Sequence, residues 1–329
     1  MGKKAEVSVI VPVFNLEETL ARSIGSLLNQ TLKDIEIIVV NDASTDNSGS
    51  VIDSLAKENA NIVPIHLCEN KGVHEARLVG LKRSTAPWIG FLDADDFARP
   101  NMFETLLSAA EETDVDIVVC GCDRVTEQRK VIAPKLRFGR SQKIESNIFK
   151  RFCAFDFGTG MLWNKLFKRS VIEPWFELHF PWRQSINEDL ILNIGCFYNA
   201  RSLYLLKDRL YEYVLSEGSV TTDMDACWAY AELFKAYALA VTIYKSFEDE
   251  DLSLIIDMYR VQFSWDAYQI EGAVGLVQYN KELEKVVSYL TKNYPFALAV
   301  IPARNFKGTV GARLALRSIF SLVKSKFKW

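Results

Sequence analysis

Val7-Ser-Val-Ile-Val-Pro-Val13-Phe-Asn-Leu-Glu17 opens the chain with an apolar run that breaks into polar residues, and the same design returns three times before residue 97. Ile35 to Val40 leads into Asn41-Asp42-Ala-Ser44-Thr-Asp46, Ile62 to Leu67 into Asn70-Lys-Gly72, and Trp88-Ile-Gly-Phe-Leu92 into Asp93-Ala-Asp95-Asp96. Short apolar runs without polar alternation suit strands covered on both faces. Between them, Leu16 to Leu28, Ser50 to Glu58 and Val73 to Lys82 carry apolar residues at helical spacing. Three strand–helix–strand crossovers in a row predict a parallel sheet flanked by helices, the α/β class. Ligands of such sheets settle at the carboxyl ends of the strands, where all four polar clusters fall.

Farther along, a helix is expected from Pro100 to about Ala110 and a strand from Asp116 to Cys122. Thr126 to Phe138 is polar and basic, a mobile loop or a hairpin. Residues 150–220 are richer in aromatics and contain Trp163-Asn-Lys165 and Asn187-Glu-Asp189. After Thr222 the pattern turns helical, over Cys227 to Phe247, Leu252 to Tyr268 and Lys281 to Lys292. The expected division is therefore an α/β domain over 1–221 and an α-helical C-terminal region over 222–329.

Of the 329 residues 49% are hydrophobic and 25% charged, which excludes disorder, collagen and coiled coil. The net charge of −3 supplies no global positive field, so nucleic acid is not an expected partner. No apolar run reaches the roughly 18 residues of a membrane span, and the N-terminus lacks the apolar core of a secretory signal. A cytoplasmic chain is the expectation. Its six cysteines lie in apolar segments and read as buried reduced thiols; Cys120-Gly-Cys122 has no second pair with which to complete a metal site.

The carboxylates of Asp93, Asp95 and Asp96 crowd one strand end, where like charges raise one another's pKa unless a cation intervenes. A hard divalent cation, Mg²⁺ or Mn²⁺, would resolve this and bring substrate phosphates; a cap on the helix near Pro100 is the other reading. Asp42 to Asp46 reads as ligand-binding or as an Asx turn with a helix cap. Asn70 to Gly72 with Arg77 suits a phosphate or a base edge, or is a plain connection. Glu188-Asp189 offers a general base, or merely first-turn acids of a helix. His74 and His179 lack partners at ligand spacing and read as structural.

Taken in order, Val9-Ile-Val-Pro12-Val-Phe14-Asn15-Leu-Glu17, Ile37-Ile-Val-Val-Asn-Asp42-Ala-Ser44-Thr-Asp46, Asn70-Lys-Gly72 with Ala76-Arg77, Asp93-Ala94-Asp95, Trp163-Asn164-Lys165 and Glu188-Asp189 resemble a family 2 glycosyltransferase of the GT-A fold, of the type that builds bacterial surface polysaccharides. The resemblance implies a Rossmann-like, mainly parallel sheet whose half over 1–110 binds a nucleotide sugar and whose half over 111–221 binds an acceptor. It implies that Pro12, Phe14, Asn15 and Glu17 line the nucleoside pocket, that Asp42 reads the base with Ser44 nearby, and that Asn70, Gly72 and Arg77 approach the nucleotide. Asp93 would contact ribose or sugar, next to Ala94. Asp95, with Asp93, would hold Mn²⁺ or Mg²⁺ at the diphosphate. Asp189 would be the general base, Glu188 its neighbour, and Trp163, Asn164 and Lys165 would face the acceptor. The implied reaction is inverting, metal-dependent transfer of a hexosyl or N-acetylhexosaminyl group from a nucleoside diphosphate sugar, UDP-sugar foremost, to a glycan or lipid-linked acceptor.

The chain departs from the pattern at Leu78, where many members have Asn, and at Val214 and Ser216, where many carry Arg. Lys165, Lys168 or a residue of 126–140 is the expected substitute cation, unless the donor is held in a different way. A non-catalytic nucleotide-sugar-binding partner of an assembly complex is the alternative. A nucleotidyltransferase would need a Gly-rich basic loop after the first strand, and Pro12-Val-Phe-Asn-Leu-Glu17 is not one. Arg304 to Trp329 holds seven Lys or Arg and no acid, interleaved with apolar residues. That mixture suits either a basic amphipathic helix lying on the anionic inner face of the cell membrane or a packed terminal helix.

Overall fold

The computed structural model describes residues 4–215, 226–266 and 280–299. The chain divides into two units, one of Met1–Phe152, Phe157–Arg183 and Leu192–Glu217, the other of Cys153–Asp156, Gln184–Ile191 and Gly218–Trp329. A single cut near 222 is therefore not what the contacts give, because two short upstream segments, including Glu188 and Asp189, belong with the helices.

In the first unit, β1 (Val7–Val13), β2 (Ile35–Asn41), β3 (Ile62–His66) and β4 (Trp88–Phe91) run parallel in the order β3-β2-β1-β4. Their crossovers are α1 (Leu20–Leu28), α2 (Ser48–Glu58) and α3 (Val73–Arg83), as the spacing predicts. Beyond the short β5 (Phe97–Ala98) come α4 (Met102–Thr113) and β6 (Ile117–Val125). The segment expected to be a loop or hairpin is a hairpin: β7 (Val131–Leu136) returns antiparallel on β6. The sheet is completed by β8 (Gln142–Ile144), β9 (Lys165–Lys168) and β10 (Leu203–Val214), with α5 (Ile148–Cys153), α6 (Arg169–Ile172) and α7 (Glu188–Asn199) among them. β9 lies antiparallel between β4 and β6, and β10 parallel to β6. The carboxyl ends of β1 to β4, β6 and β10 consequently share one edge.

The side chains of β1 and β2 are buried almost without exception, which is what covering a sheet on both faces requires. Gly80 lets α3 lie against the sheet: a Cβ there would come within 2.6 Å of Ile10. Pro12 is tolerated in a central strand because Ile10, which faces the same side, takes the last bond from that side, Leu92 N–H to Ile10 O at 3.1 Å.

In the second unit, α8 (Ala226–Ile243), α9 (Asp249–Asp266) and α10 (Asn280–Asn293) pack around Tyr230, Tyr237, Tyr244 and Tyr259, all buried. No helix among the described residues is long and apolar enough to cross a membrane. The basic tail over 304–329 and Ser216 lie outside the described residues.

Candidate active site

Two loops at the carboxyl edge are stitched to each other. The chain leaves β1 through Asn15 at φ 53° and β2 through Ala43 at φ 56°, left-handed conformations that cost L-residues about 1–2 kcal/mol each. The Asn15 N–H donates to Ser44 Oγ at 3.0 Å, Thr45 N–H to Asn15 Oδ1 at 2.8 Å, and Asn47 N–H to Glu17 Oε2 at 2.8 Å. Leu16 N–H reaches Ser48 Oγ at 2.9 Å and Glu17 N–H reaches Asp46 Oδ2 at 3.1 Å; α1 starts at Leu20 rather than at Leu16. Asn15, Glu17 and Ser44 are thus the buckle of the loop pair. Pro12 is buried, and Phe14, 42% exposed, offers an open aromatic face beside the loops.

Asp42 fixes a third loop. Its two carboxylate oxygens accept the N–H groups of Lys71 at 2.7 Å and Gly72 at 2.8 Å, and the residue is 2% exposed. Positioning the β3–α3 connection is its visible task. Gly72 caps α3 at φ 92°, where an L-side chain is strained and a Cβ would come within 3.3 Å of Arg183 Nε. Held beside them, Asn70 has both amide atoms buried and, among the described residues, without a hydrogen-bond partner. Such a group costs about 1–3 kcal/mol unless a ligand completes it. His74 is structural: its ring stacks on Phe180 at 3.8 Å, its Nε2 donates to Leu178 O at 2.6 Å, and burial lowers its pKa to about 4.

The acidic turn after β4 is built on Tyr211. Asp93 N–H donates to the Tyr211 hydroxyl at 3.3 Å, and that hydroxyl donates to Asp96 Oδ2 at 2.7 Å. Asp96 also accepts Val214 N–H at 2.7 Å, so it ties β4 to β10 and caps no helix; α4 starts after Asn101. Burial, and then the charges of Asp95 and Asp93, push the Asp96 carboxyl well above its usual range. Ala94 is buried, with its carbonyl accepting Thr19 Oγ1 at 3.2 Å. Arg77 is 5% exposed and bonds Asp93 Oδ1 at 3.1 Å, which ties α3 to the acidic turn. Asp95 retains the excess charge: burial first, and Asp93 second, raise its pKa from 3.8 to about 6.

Among the described residues, no group of three or more His, Cys, Asp or Glu is arranged to hold a metal unaided. Asp95 together with the second oxygen of Asp93 matches a different kind of site, in which one or two carboxylates hold Mg²⁺ or Mn²⁺ and phosphates complete the shell. The residues fit the cation on that basis.

Trp163, Asn164 and Lys165 do not face an acceptor. They are 5%, 0% and 1% exposed. Trp163 stacks on Tyr211 at 4.1 Å, Asn164 Nδ2 donates to Cys120 O at 2.9 Å, and Lys165 Nζ donates to Asn164 Oδ1 at 3.0 Å and to Met161 O. They form the floor under the acidic turn, because β9 runs inside the sheet, where its first residues are covered. Lys168 is 3.9 Å from both Asp114 and Asp116, at the opposite edge of the sheet. Of the expected substitute cations, Lys165 is spent in that floor, and Lys135 comes within electrostatic reach of Asp96 and Asp93. Its Nζ sits 3.5 Å over the Tyr213 ring, with its pKa lowered by burial against the opposing pull of Asp96 and Asp93. Tyr211 and Lys135 were not assigned to the site from sequence; the alternation of Tyr211 and Tyr213 around Glu212 puts both rings on one face, but only strand pairing places that face.

In the second unit, Glu188 and Asp189 form the first turn of α7 after Asn187, which is left-handed at φ 63°. Glu188 is buried, while Asp189 is half-buried and its Oδ1 accepts Leu190 N–H at 2.7 Å. The helix N-terminus favours negative charge there. The cysteines are free, all buried but Cys68, and burial pushes Cys120 and Cys122 up to about 12, so they are inert.

An α/β domain with three stitched loops and an acidic turn at one sheet edge defines a nucleotide-sugar type of fold, GT-A. The chain belongs to glycosyl transferase family 2, whose sequence model matches residues 8–176. It is 34% identical over 223 residues to the uncharacterized glycosyltransferase EpsJ of Bacillus subtilis, covering 65% of this chain and 62% of that protein. It is 31% identical over 213 residues to the poly(ribitol-phosphate) beta-N-acetylglucosaminyltransferase TarP of Staphylococcus aureus, covering 64% and 62%. The matches thus span less than two thirds of these relatives' length. A crystal structure of S. aureus TarS in complex with UDP-GlcNAc superposes with TM-score 0.70 at 17% identity, over 96% of this chain and 88% of that one.

Proposed function

We propose that the chain is an inverting glycosyltransferase that takes a hexosyl or N-acetylhexosaminyl group from a nucleoside diphosphate sugar, UDP-sugar foremost, and delivers it to a glycan or lipid-linked acceptor of a surface polysaccharide. The observation that carries the donor reading is the Asn70 amide, buried with neither atom satisfied beside the Asp42-braced loop. A base edge, which offers donors and acceptors in one plane, would complete it. The TarS complex with UDP-GlcNAc and the TarP name support the same class of donor.

In this reading the stitched loops and Phe14 hold the nucleoside and Lys135 faces the diphosphate. Asp95 and Asp93 hold Mn²⁺ or Mg²⁺, which when bound neutralises charge on the leaving diphosphate as a Lewis acid. Asp189 accepts the proton of the acceptor hydroxyl as its oxygen bonds to the anomeric carbon; the bond from that carbon to the diphosphate breaks on the opposite face, which inverts the centre. The basic segment 304–329 would hold the enzyme on an anionic inner membrane surface beside a lipid-linked acceptor.

A thermal-shift and calorimetry panel of UDP-, GDP- and dTDP-sugars, with Mn²⁺ or with EDTA, tests the donor and the metal together, since a ligand of the folded state raises the melting temperature. UDP-sugars should shift the wild type in Mn²⁺ and fail with Asn70→Ala. Asp189→Asn should keep the shift and lose transfer by about 10²–10⁴-fold. No shift from any nucleotide sugar would remove the proposal.

A further inference from the structure

Within the helical unit, contacts from α8 and α9 converge on the short segment that enters α7. Glu232 of α8 is buried; its Oε2 accepts Ser185 N–H at 2.9 Å and its Oε1 pairs with buried Lys235 at 2.5 Å. Gln184 is buried too, and its Nε2 donates to Ile186 O at 2.7 Å and to Glu232 O at 2.9 Å. Gln262 of α9, also buried, accepts Asn187 Nδ2 on its Oε1 at 2.9 Å. The hydroxyl of Tyr244, just past α8, donates to Ile191 O at 2.6 Å.

None of this is needed to start a helix, since Ile191 N–H already reaches Asn187 O at 3.1 Å. Nor is a buried ion pair an efficient source of stability, because desolvation offsets most of its attraction. What the contacts do is over-determine one backbone path, through Asn187 in a left-handed conformation that asparagine tolerates better than other L-residues and that its side-chain bond to Gln262 fixes in place. Asp189 is two residues on. Tyr259 of α9 is fully buried with its hydroxyl unpartnered among the described residues; burial first, and the charge of Asp189 second, push that hydroxyl well above its usual range.

We propose that Gln262, seconded by Glu232, is a positioning residue for the general base: it locks Asn187 and so fixes how α7 presents Asp189. This rests on the reading of Asp189 as the base.

Gln262→Met removes the acceptor at nearly constant size, Gln262→Glu retains an acceptor oxygen, and Asn187→Gly keeps the left-handed turn while losing the side chain. One hydrogen bond lost at this point corresponds to about a tenfold effect. Hydrogen exchange of the amides over 185–190 in the full chain should quicken about tenfold in Gln262→Met and Asn187→Gly, and be restored in Gln262→Glu. UDP release from UDP-N-acetylglucosamine, or from the panel sugar that the wild type hydrolyses, should lose about tenfold in kcat with KM for the sugar unchanged, because a base is used only in the transition state. The double variant should be no worse than either single one. Unchanged exchange over 185–190, or normal kcat in Gln262→Met beside an inactive Asp189→Asn, would overturn the proposal. Retained turnover in Asp189→Asn would dismiss the base reading instead, and the exchange experiment separates the two.

Discussion

Asp95→Asn should make the metal-free protein more stable while weakening its use of donor. Asp95 sits with Asp93 in a turn whose other carboxylate, Asp96, is consumed by Tyr211 and Val214. Arg77 answers Asp93, and Asp95 is left to carry its charge into a buried place. A folded pKa of about 6 against 3.8 means that the folded chain holds the proton more tightly than the unfolded one. Stability is therefore greatest below the unfolded value and falls as pH rises through the window from 3.8 to about 6. At about 1.36 kcal/mol per pH unit, the loss by pH 7 is at most about 3 kcal/mol, and solvent reaching the turn reduces that to about 1–3 kcal/mol. Urea titrations in EDTA at pH 7.5 should show Asp95→Asn above wild type by that amount, and the two converging near pH 4 as the wild-type carboxyl protonates. Mn²⁺ should raise the wild type and leave the variant unmoved. A variant less stable than wild type at pH 7.5 in EDTA would refute the reasoning, because it would mean that the carboxylate is held by favourable bonds rather than tolerated.

Trp163→Ala should destabilise the first unit by about 3–5 kcal/mol, seen as a lower urea midpoint, since it empties a buried ring from the Tyr211 stack. Gly72→Ala should cost about 1 kcal/mol or more through its φ of 92°, and should weaken nucleotide binding by calorimetry as the Asp42-bound loop shifts. Flotation with anionic liposomes should carry the full chain at low salt and release it at high salt, each basic residue contributing about 1 kcal/mol at the surface. A chain truncated after Ile301 should stay with the soluble fraction at both salt concentrations.

The alternation of covered strands and amphipathic helices from Val7 to Phe91 was legible because each element's periodicity is local, and because parallel strands require a crossover that can pack in only one way. The same locality exposed Asp42, Asn70, Asp93 and Asp95, since polar residues closing an apolar strand have nowhere else to stand than the carboxyl edge. What each of them does was set by residues distant in sequence. Arg77 meets Asp93 and Asp96 meets Tyr211 only because α3 and β10 are brought to the end of β4, so the sequence left Arg77 free for a nucleotide and Asp96 free for a cap. Trp163, Asn164 and Lys165 look like surface chemistry as a tripeptide and are the floor of the turn in the fold. Their burial follows from β9 inserting antiparallel between β4 and β6, a long-range pairing that no periodicity announces. Glu188 and Asp189 were visible as a pair of acids; that the segment entering them is bonded at Ser185 by Glu232 and at Asn187 by Gln262 is a tertiary fact, because hydrogen bonds made between positions far apart leave no spacing in the chain to read.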